Sequence, residues 1–290
     1  MKRALLFIVT NFMVMIALAI VTMVVFALFG TSLSEAIGPE WSYLALVAFV
    51  YGFVGAIVSL LMSKQMAKFS VGAKTVDGTE GEAERWLVDT VGILARQANV
   101  SMPEVAVYRG SANAFATGAF KNHALVAVST DIMSQMTRDE LRAVLGHEMS
   151  HVANGDMVTL ALVQGVLNSF VIFLSRAVAG IVAGSGKGNR RANGLYRPIA
   201  FVLDIALGFL ASIVVCAYSR KREYAADAGS ASLLGSPGPM IAALRRLGNL
   251  KPGVLPDSLK AMGIAGGRRA SLLATHPSLE DRIEALMRFA

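Results

Sequence analysis

Long uncharged runs alternate with polar stretches along this chain, and the alternation predicts its elements. Residues 4–30 carry no charge and only Thr10, Asn11 and Thr22 as clearly polar members. About 20 apolar residues in a helix cross the roughly 30 Å of bilayer hydrocarbon, so this run predicts a spanning helix. A cleavable signal peptide is the alternative, since Lys2 and Arg3 give a positive start. The run is longer than a signal peptide's apolar region of about 7 to 15 residues, which favours the span. A loop holding Glu35 and Glu40 but no Lys or Arg leads to a second uncharged run, 41–63, opened by Trp41 and Tyr43, residues suited to the membrane interface. Residues 1–63 are therefore expected to form a transmembrane hairpin.

The pattern changes over 64–156. Glu80, Glu82, Glu84 and Arg85 open an amphipathic helix that buries Trp86, Leu87, Val91 and Leu94 at helical spacing. Residues 104–108 and 124–128 read as strands, separated by 111–118 and a turn at Lys121-Asn122, which predicts a small antiparallel sheet. Thr137 followed by Glu140 is a capping box, opening a helix through Leu141, Val144 and Leu145 to residue 151. Two more apolar runs follow, 157–184 and 198–218, divided by a Gly-rich loop with Lys187, Arg190, Arg191 and Arg197. Their length favours two full spans, while the positive charge between them favours a re-entrant or membrane-associated hairpin. Gln164, Asn168, Arg176 and Asp204 inside these runs are expected to face a partner helix or a wet cavity. Residues 219–290 return to polar, mostly helical sequence. The expected organisation is a hairpin anchor (1–63), the first part of a cytoplasmic domain (64–156), a second membrane hairpin (157–218) and the rest of that domain (219–290).

Composition strengthens the membrane reading: 54% of residues are hydrophobic, 16% are charged, and mean hydropathy is +0.56. The net charge of +7 resides in Lys and Arg flanking the apolar runs, as expected for a membrane surface and not for a nucleic-acid partner. Lys64, Lys68 and Lys74 place the N-terminus and the domain after residue 64 in the cytoplasm by the positive-inside rule. The single cysteine, Cys216, excludes an intramolecular disulfide and a Cys-based metal cluster.

Only four histidines are present: His123, His147, His151 and His276. In Leu145-Gly-His-Glu-Met-Ser-His151 two of them lie four apart on the capped helix, so both imidazoles leave one face and can share one zinc ion. Such an ion activates water for attack on a peptide carbonyl, and Glu148, beside the pair, is the general base. A third ligand is needed. In Arg222-Glu-Tyr-Ala-Ala-Asp227, Glu223 and Asp227 share a helical face, so Glu223 can bind metal while Asp227 accepts from a ligand imidazole's free N–H. An acidic pair serving only the helix start is the plainer reading. A membrane hairpin joining 157 to 218 would bring His151 and Glu223 to one level, which favours the ligand role. Asp204, an acid within an apolar run, is the rival third ligand. His123, on a turn, reads as a surface histidine, and Met149 as packing.

The N-terminal hairpin, the His147-to-His151 motif, the second apolar pair, Arg222-Glu-Tyr-Ala-Ala-Asp-Ala228 and Thr275-His-Pro277 with Arg282-Ile283 together resemble the bacterial HtpX heat-shock proteases, relatives of the CAAX prenyl endoproteases. The resemblance spans essentially the whole chain. It implies an α-helical integral membrane protein with a zincin-like α+β metalloprotease domain, one zinc per chain on His147, His151 and Glu223, and Glu148 as base. It implies cleavage of unfolded or damaged membrane proteins at the bacterial inner membrane, with both termini in the cytoplasm and other quality-control proteases as partners. Asn113, Ala114, Phe115, Ala116 and Thr117 would line the cleft, where an edge strand can pair with an extended substrate. A plain inter-strand loop is the alternative. His276 is expected either to donate to the developing oxyanion or to fix the C-terminal helix. Arg282 is expected to anchor Asp227 or another acid. A processing protease with one lipid-anchored substrate and a non-catalytic adaptor are competing functions; the intact motif residues count against the adaptor.

Overall fold

The computed structural model describes residues 39–183, 190–250, 264 and 273–289, so the expected first span at 4–30 lies outside the described residues. Among those residues three helices are long and apolar enough to cross a membrane, Leu44–Val71, Asp156–Val182 and Gly194–Leu234. The chain divides into two compact units: one takes the described residues up to Val58 with Ala161–Val215, the other Ser59–Leu160 with the described residues from Cys216 onward.

The first unit is helical. Helix α1 (Pro39–Phe49) passes through a π turn (Val50–Val54) into α2 (Gly55–Val71), and most of α6 (Asp156–Val182) and the first half of α7 (Arg190–Leu234) complete it. Small residues let these helices approach closely, as membrane helices commonly do. A Cβ on Gly52 would lie 2.3 Å from the Ser169 backbone nitrogen, and one on Gly165 would lie 3.1 Å from Phe53 Cδ2. Arg176 on α6 pairs with Asp204 on α7, and Ser175 Oγ donates to the same carboxylate at 2.6 Å. That pairing gives two charges in apolar helices a partner each, and it engages Asp204, the rival third ligand, within the first unit.

The second unit holds a four-stranded sheet: β1 (Lys74–Thr75), β2 (Glu104–Tyr108), β3 (Ala114–Thr117) and β4 (Leu125–Ser129), in the order β1-β2-β4-β3. The expected antiparallel sheet is corrected to a mixed one. β2 and β4 run parallel, Glu104 opposite Leu125 through Tyr108 opposite Ser129, while β1 and β3 are antiparallel neighbours. A parallel pair needs a crossover longer than a hairpin turn, and residues 109–124 supply it. Within that crossover the 114–117 segment forms β3, which pairs back onto β4 and leaves β3 as an edge.

Helix α3 (Glu82–Gln97), the short α4 (Thr130–Gln135), α5 (Arg138–Asn154), α8 (Gly238–Asn249) and α9 (Leu279–Met287) complete the unit. The sequence capping box forms: Thr137 Oγ1 accepts from Glu140 N and Glu140 Oε2 accepts from Thr137 N, fixing where α5 starts. Leu87, Val91 and Leu94 from α3, Val126 and Val128 from β4, Leu141, Val144, Leu145 and Met149 from α5, and Leu244 from α8 form one buried core. Each such side chain contributes about 1.5–3 kcal/mol by leaving water. The opposite sheet face buries Ala106, Tyr108, Phe115, Leu125 and Ala127 against Ala67 of α2.

Candidate metal centre

Helix α5 is buried on almost every side, so His147 and Glu148 sit inside the unit at 1% exposure each. His147 Nε2 and His151 Nε2 lie 3.1 Å apart. Each imidazole is held by its other nitrogen: His147 Nδ1 is 2.9 Å from Asp227 Oδ1, and His151 Nδ1 is 2.6 Å from Asp156 Oδ2. Carboxylates at Nδ1 place the ring proton there by inference, so the two Nε2 lone pairs face each other. Glu223 adds negative charge, with Oε1 3.3 Å from His151 Nε2 and Oε2 3.5 Å from His147 Nε2.

Two lone pairs and a carboxylate cannot favourably converge in a dry site without a cation between them. Two nitrogens on one tetrahedral zinc at 2.0–2.1 Å lie about 3.3 Å apart, close to the spacing found. The ligand atoms of His147, His151 and Glu223 all fall within 4.8 Å of one another. The residues therefore fit a divalent metal. Burial opposes protonation of His147, but Asp227 and Glu223 outweigh it and raise its pKa, so proton and metal compete for the site.

Two helices bring these groups together by crossing at small residues. A Cβ on Gly146 of α5 would lie 2.9 Å from Ser230 Oγ, and a Cβ on Gly229 of α7 would lie 2.4 Å from Ser150 Oγ and 2.8 Å from Ser150 Cβ. Ser150 Oγ donates to the Gly146 carbonyl of its own helix and Ser230 Oγ to the Ala143 carbonyl across the crossing, both at 2.7 Å.

Arg282 is fully buried and grips Asp227 with two bonds, Nε to Oδ2 at 2.8 Å and Nη2 to Oδ1 at 2.6 Å. Its Nη1 lies 3.4 Å from Glu223 Oε2. Burial alone would lower the Arg282 pKa; Asp227 and Glu223 reverse that and raise it. His276 Nδ1 lies 2.8 Å from Glu223 Oε2. Glu148 differs from the rest. Both its oxygens are buried and no side chain hydrogen-bonds to them; burial pushes its pKa up to about 7, against the lowering influence of His147, His151 and the Ala116 backbone N–H. A carboxyl at that value can accept or release a proton at neutral pH.

The 113–117 segment lies beside this centre as the edge strand β3, packed on α5. Asn113 is buried, its backbone carbonyl accepting from Ser129 N and Tyr108 Oη, and its Oδ1 accepting from Ala114 N. Phe115 packs on the sheet face that meets Ala67, Thr117 is fully buried, and the Ala114 carbonyl accepts from Ile264 N at 3.1 Å. His123 is exposed on a 3-10 turn (Lys121–His123), apart from the metal ligands.

Asp156 is the site residue that sequence reading missed, together with Arg222, whose Nη2 lies 2.8 Å from Asp156 Oδ2. The available signal was Asn154-Gly155: Gly155 ends α5 in the left-handed conformation (φ 69°), which turns Asp156 back toward His151.

The profile described as Peptidase family M48 matches residues 82–290. Proteins described as Protease HtpX homolog are 51% identical in Paracidovorax citrulli, over 99% of this chain and 98% of the relative, and 51% identical in Neisseria meningitidis, over 99% of each. The crystal structure of S. mikatae Ste24p superposes with a TM-score of 0.57 at 18% identity, covering 93% of this chain and 67% of that one, a likeness of fold. The helices able to span a membrane, the His-His-Glu cluster and these relatives agree: the chain belongs to peptidase family M48, as a membrane metalloprotease of the HtpX type.

Proposed function

We propose that this protein is a zinc-dependent endopeptidase of the bacterial inner membrane that cleaves misfolded or damaged membrane proteins at the cytoplasmic face. The observation that carries the reading is the enclosed Glu148 carboxylate beside two histidines whose Nε2 atoms converge with Glu223. His147, His151 and Glu223 would hold one zinc per chain, which when bound would act as a Lewis acid on water and on the scissile carbonyl. Glu148 takes the proton of the attacking water and passes it to the leaving amine. Asp227 and Asp156 hold the two imidazoles in orientation, and Arg282 holds Asp227. His276 adds an imidazole beside Glu223 at the wall of the site. Beyond Ala114, whose N–H and carbonyl are taken by Asn113 Oδ1 and Ile264 N, the edge of β3 would give an extended substrate backbone to pair with, which recognises unfolded chain with little regard to sequence. A substrate in the same bilayer meets the site at raised effective concentration, so weak intrinsic affinity suffices.

The test is cleavage of unfolded casein by detergent-purified protein. Activity should disappear with a chelator, return with zinc, and fall by about 10²–10⁴-fold in Glu148→Gln, the range general base catalysis contributes. Glu148→Gln should keep its zinc. A Glu148→Gln protein that cuts like the wild type would overturn the mechanism.

A further inference from the structure

Three contacts in the second unit gather the polar ends of two apolar runs about one end of the sheet. Lys64 is the first charge after the uncharged run 41–63, and it ion-pairs with Glu104 Oε2 at 2.6 Å. Glu104 opens β2, and its N–H donates to the Ala124 carbonyl at 2.9 Å, immediately before β4. On the other side, Gly155 is the last residue before α6 begins its apolar course, and Lys121 Cε lies 3.7 Å from where a Gly155 Cβ would stand. The turn between β3 and β4 thus sits between two places where chain passes from apolar run to polar domain. At its tip Phe120 is 62% exposed, edge-on to the His123 ring, and Lys121 follows. An apolar ring beside a cation is the composition that settles at a lipid headgroup boundary.

We propose that the Phe120–Lys121 turn is a membrane-surface anchor, with Phe120 among the upper acyl chains and Lys121 against anionic headgroups. The proposal rests on the reading of α6 as a membrane span. It gives the edge strand a direction: β3 runs from Ala114 toward the bilayer and ends at Thr117, three residues before the anchored ring. Glu148 lies seven residues before Gly155 on α5, or about 10 Å from the foot of α6 at 1.5 Å per residue. A substrate segment emerging from the lipid would meet the outward edge of β3 first at its Thr117 end and reach Glu148 within a few residues.

The experiment places a nitroxide label at position 120 (Phe120→Cys) in a Cys216→Ser background, in nanodiscs of phosphatidylethanolamine and phosphatidylglycerol. Collision rates with oxygen and with a water-soluble nickel chelate report depth. Labels at Phe201→Cys, on the exposed face of α7, and at Gln135→Cys, on the exposed side of α4, mark lipid and water. Position 120 should favour oxygen as position 201 does. Nickel access equal to that at position 135, or protection from both reagents as a protein neighbour would give, overturns the anchor. If position 201 also reads as water, the membrane reading itself fails, a separate outcome. In the same nanodiscs Phe120→Glu should cut a bilayer-anchored substrate about tenfold more slowly, within the avidity that tethering supplies, while casein cleavage in detergent is unchanged. Equal loss on both substrates would also overturn it.

Discussion

Asp156 does for His151 what Asp227 does for His147: each carboxylate accepts the Nδ1 proton and aims Nε2 at the metal position. The two supports are built differently. Asp227 is locked from behind by a fully buried arginine, whereas Asp156 is steadied by Arg222 through Nη2 and through a bond from Nη1 to its backbone carbonyl. Loss of such an outer partner commonly costs 10–100-fold in metal affinity. Asp156→Asn keeps the shape but not the charge, so zinc affinity, measured by competition with a chromophoric chelator, should fall by roughly 10–100-fold with the fold intact by circular dichroism. Unchanged affinity would make Asp156 a helix-start residue and nothing more. Asp156 escaped the sequence reading because its role depends on one backbone angle. Without the left-handed residue Gly155, helix α5 would carry position 156 away from His151; with it, Asp156 Oδ2 comes within 2.6 Å of His151 Nδ1.

The crossing of α5 and α7 sets how close the third ligand can come. Gly229 faces Ser150, and the space between them is smaller than a methyl group needs, with Ser150 Cβ itself 2.8 Å from the added carbon. A Cβ cannot be shed by a rotamer change, so Gly229→Ala must push the helices apart. That overpacking should cost about 1–3 kcal/mol and lower the melting temperature. Glu223 lies on the same helix fewer than two turns away, so zinc retention should fall as well. A Gly229→Ala protein that melts normally and keeps its zinc would show the crossing to be compliant. Much of this element-level design was legible in the sequence where it is local: two histidines four apart, the Thr137–Glu140 capping box, the apolar period of α3, and the Glu223–Asp227 face. What was not legible is pairing at a distance. The 104–108 and 124–128 strands read correctly as strands, with β4 shifted by one residue, yet their parallel pairing depends on the Ala-rich 114–117 stretch becoming the edge. Ala114-Phe-Ala-Thr117 is four residues with alanine at every second position, too short a pattern to announce which neighbour it pairs with. Arg282's grip on Asp227 spans 55 residues in the chain; it was expected from the family resemblance, since no periodicity encodes it.

At the scale of the whole molecule, apolar helices must carry polar groups without exposing them to hydrocarbon, and the Arg176–Asp204 pair is where the first unit does so. An unpaired Arg or Asp at the centre of a spanning helix costs about 2.5–3.5 kcal/mol on the insertion scale. Both side chains remain about one third exposed, at 32% and 34%, so water or headgroups screen part of that cost and the figure is an upper bound. The pairing still dictates an order among variants. Arg176→Leu strands Asp204 and should lower the midpoint of thermal unfolding in nanodiscs, and Asp204→Leu should do the same by stranding Arg176. The double variant Arg176→Leu with Asp204→Leu removes both charges and should recover most of the loss, because no group is left without a partner. If the double variant falls by the sum of the singles, the two side chains do not stabilise one another and each is held by solvent instead. Casein cleavage by the double variant in detergent should stay near that of the wild type, since neither residue belongs to the unit that holds His147, His151 and Glu223.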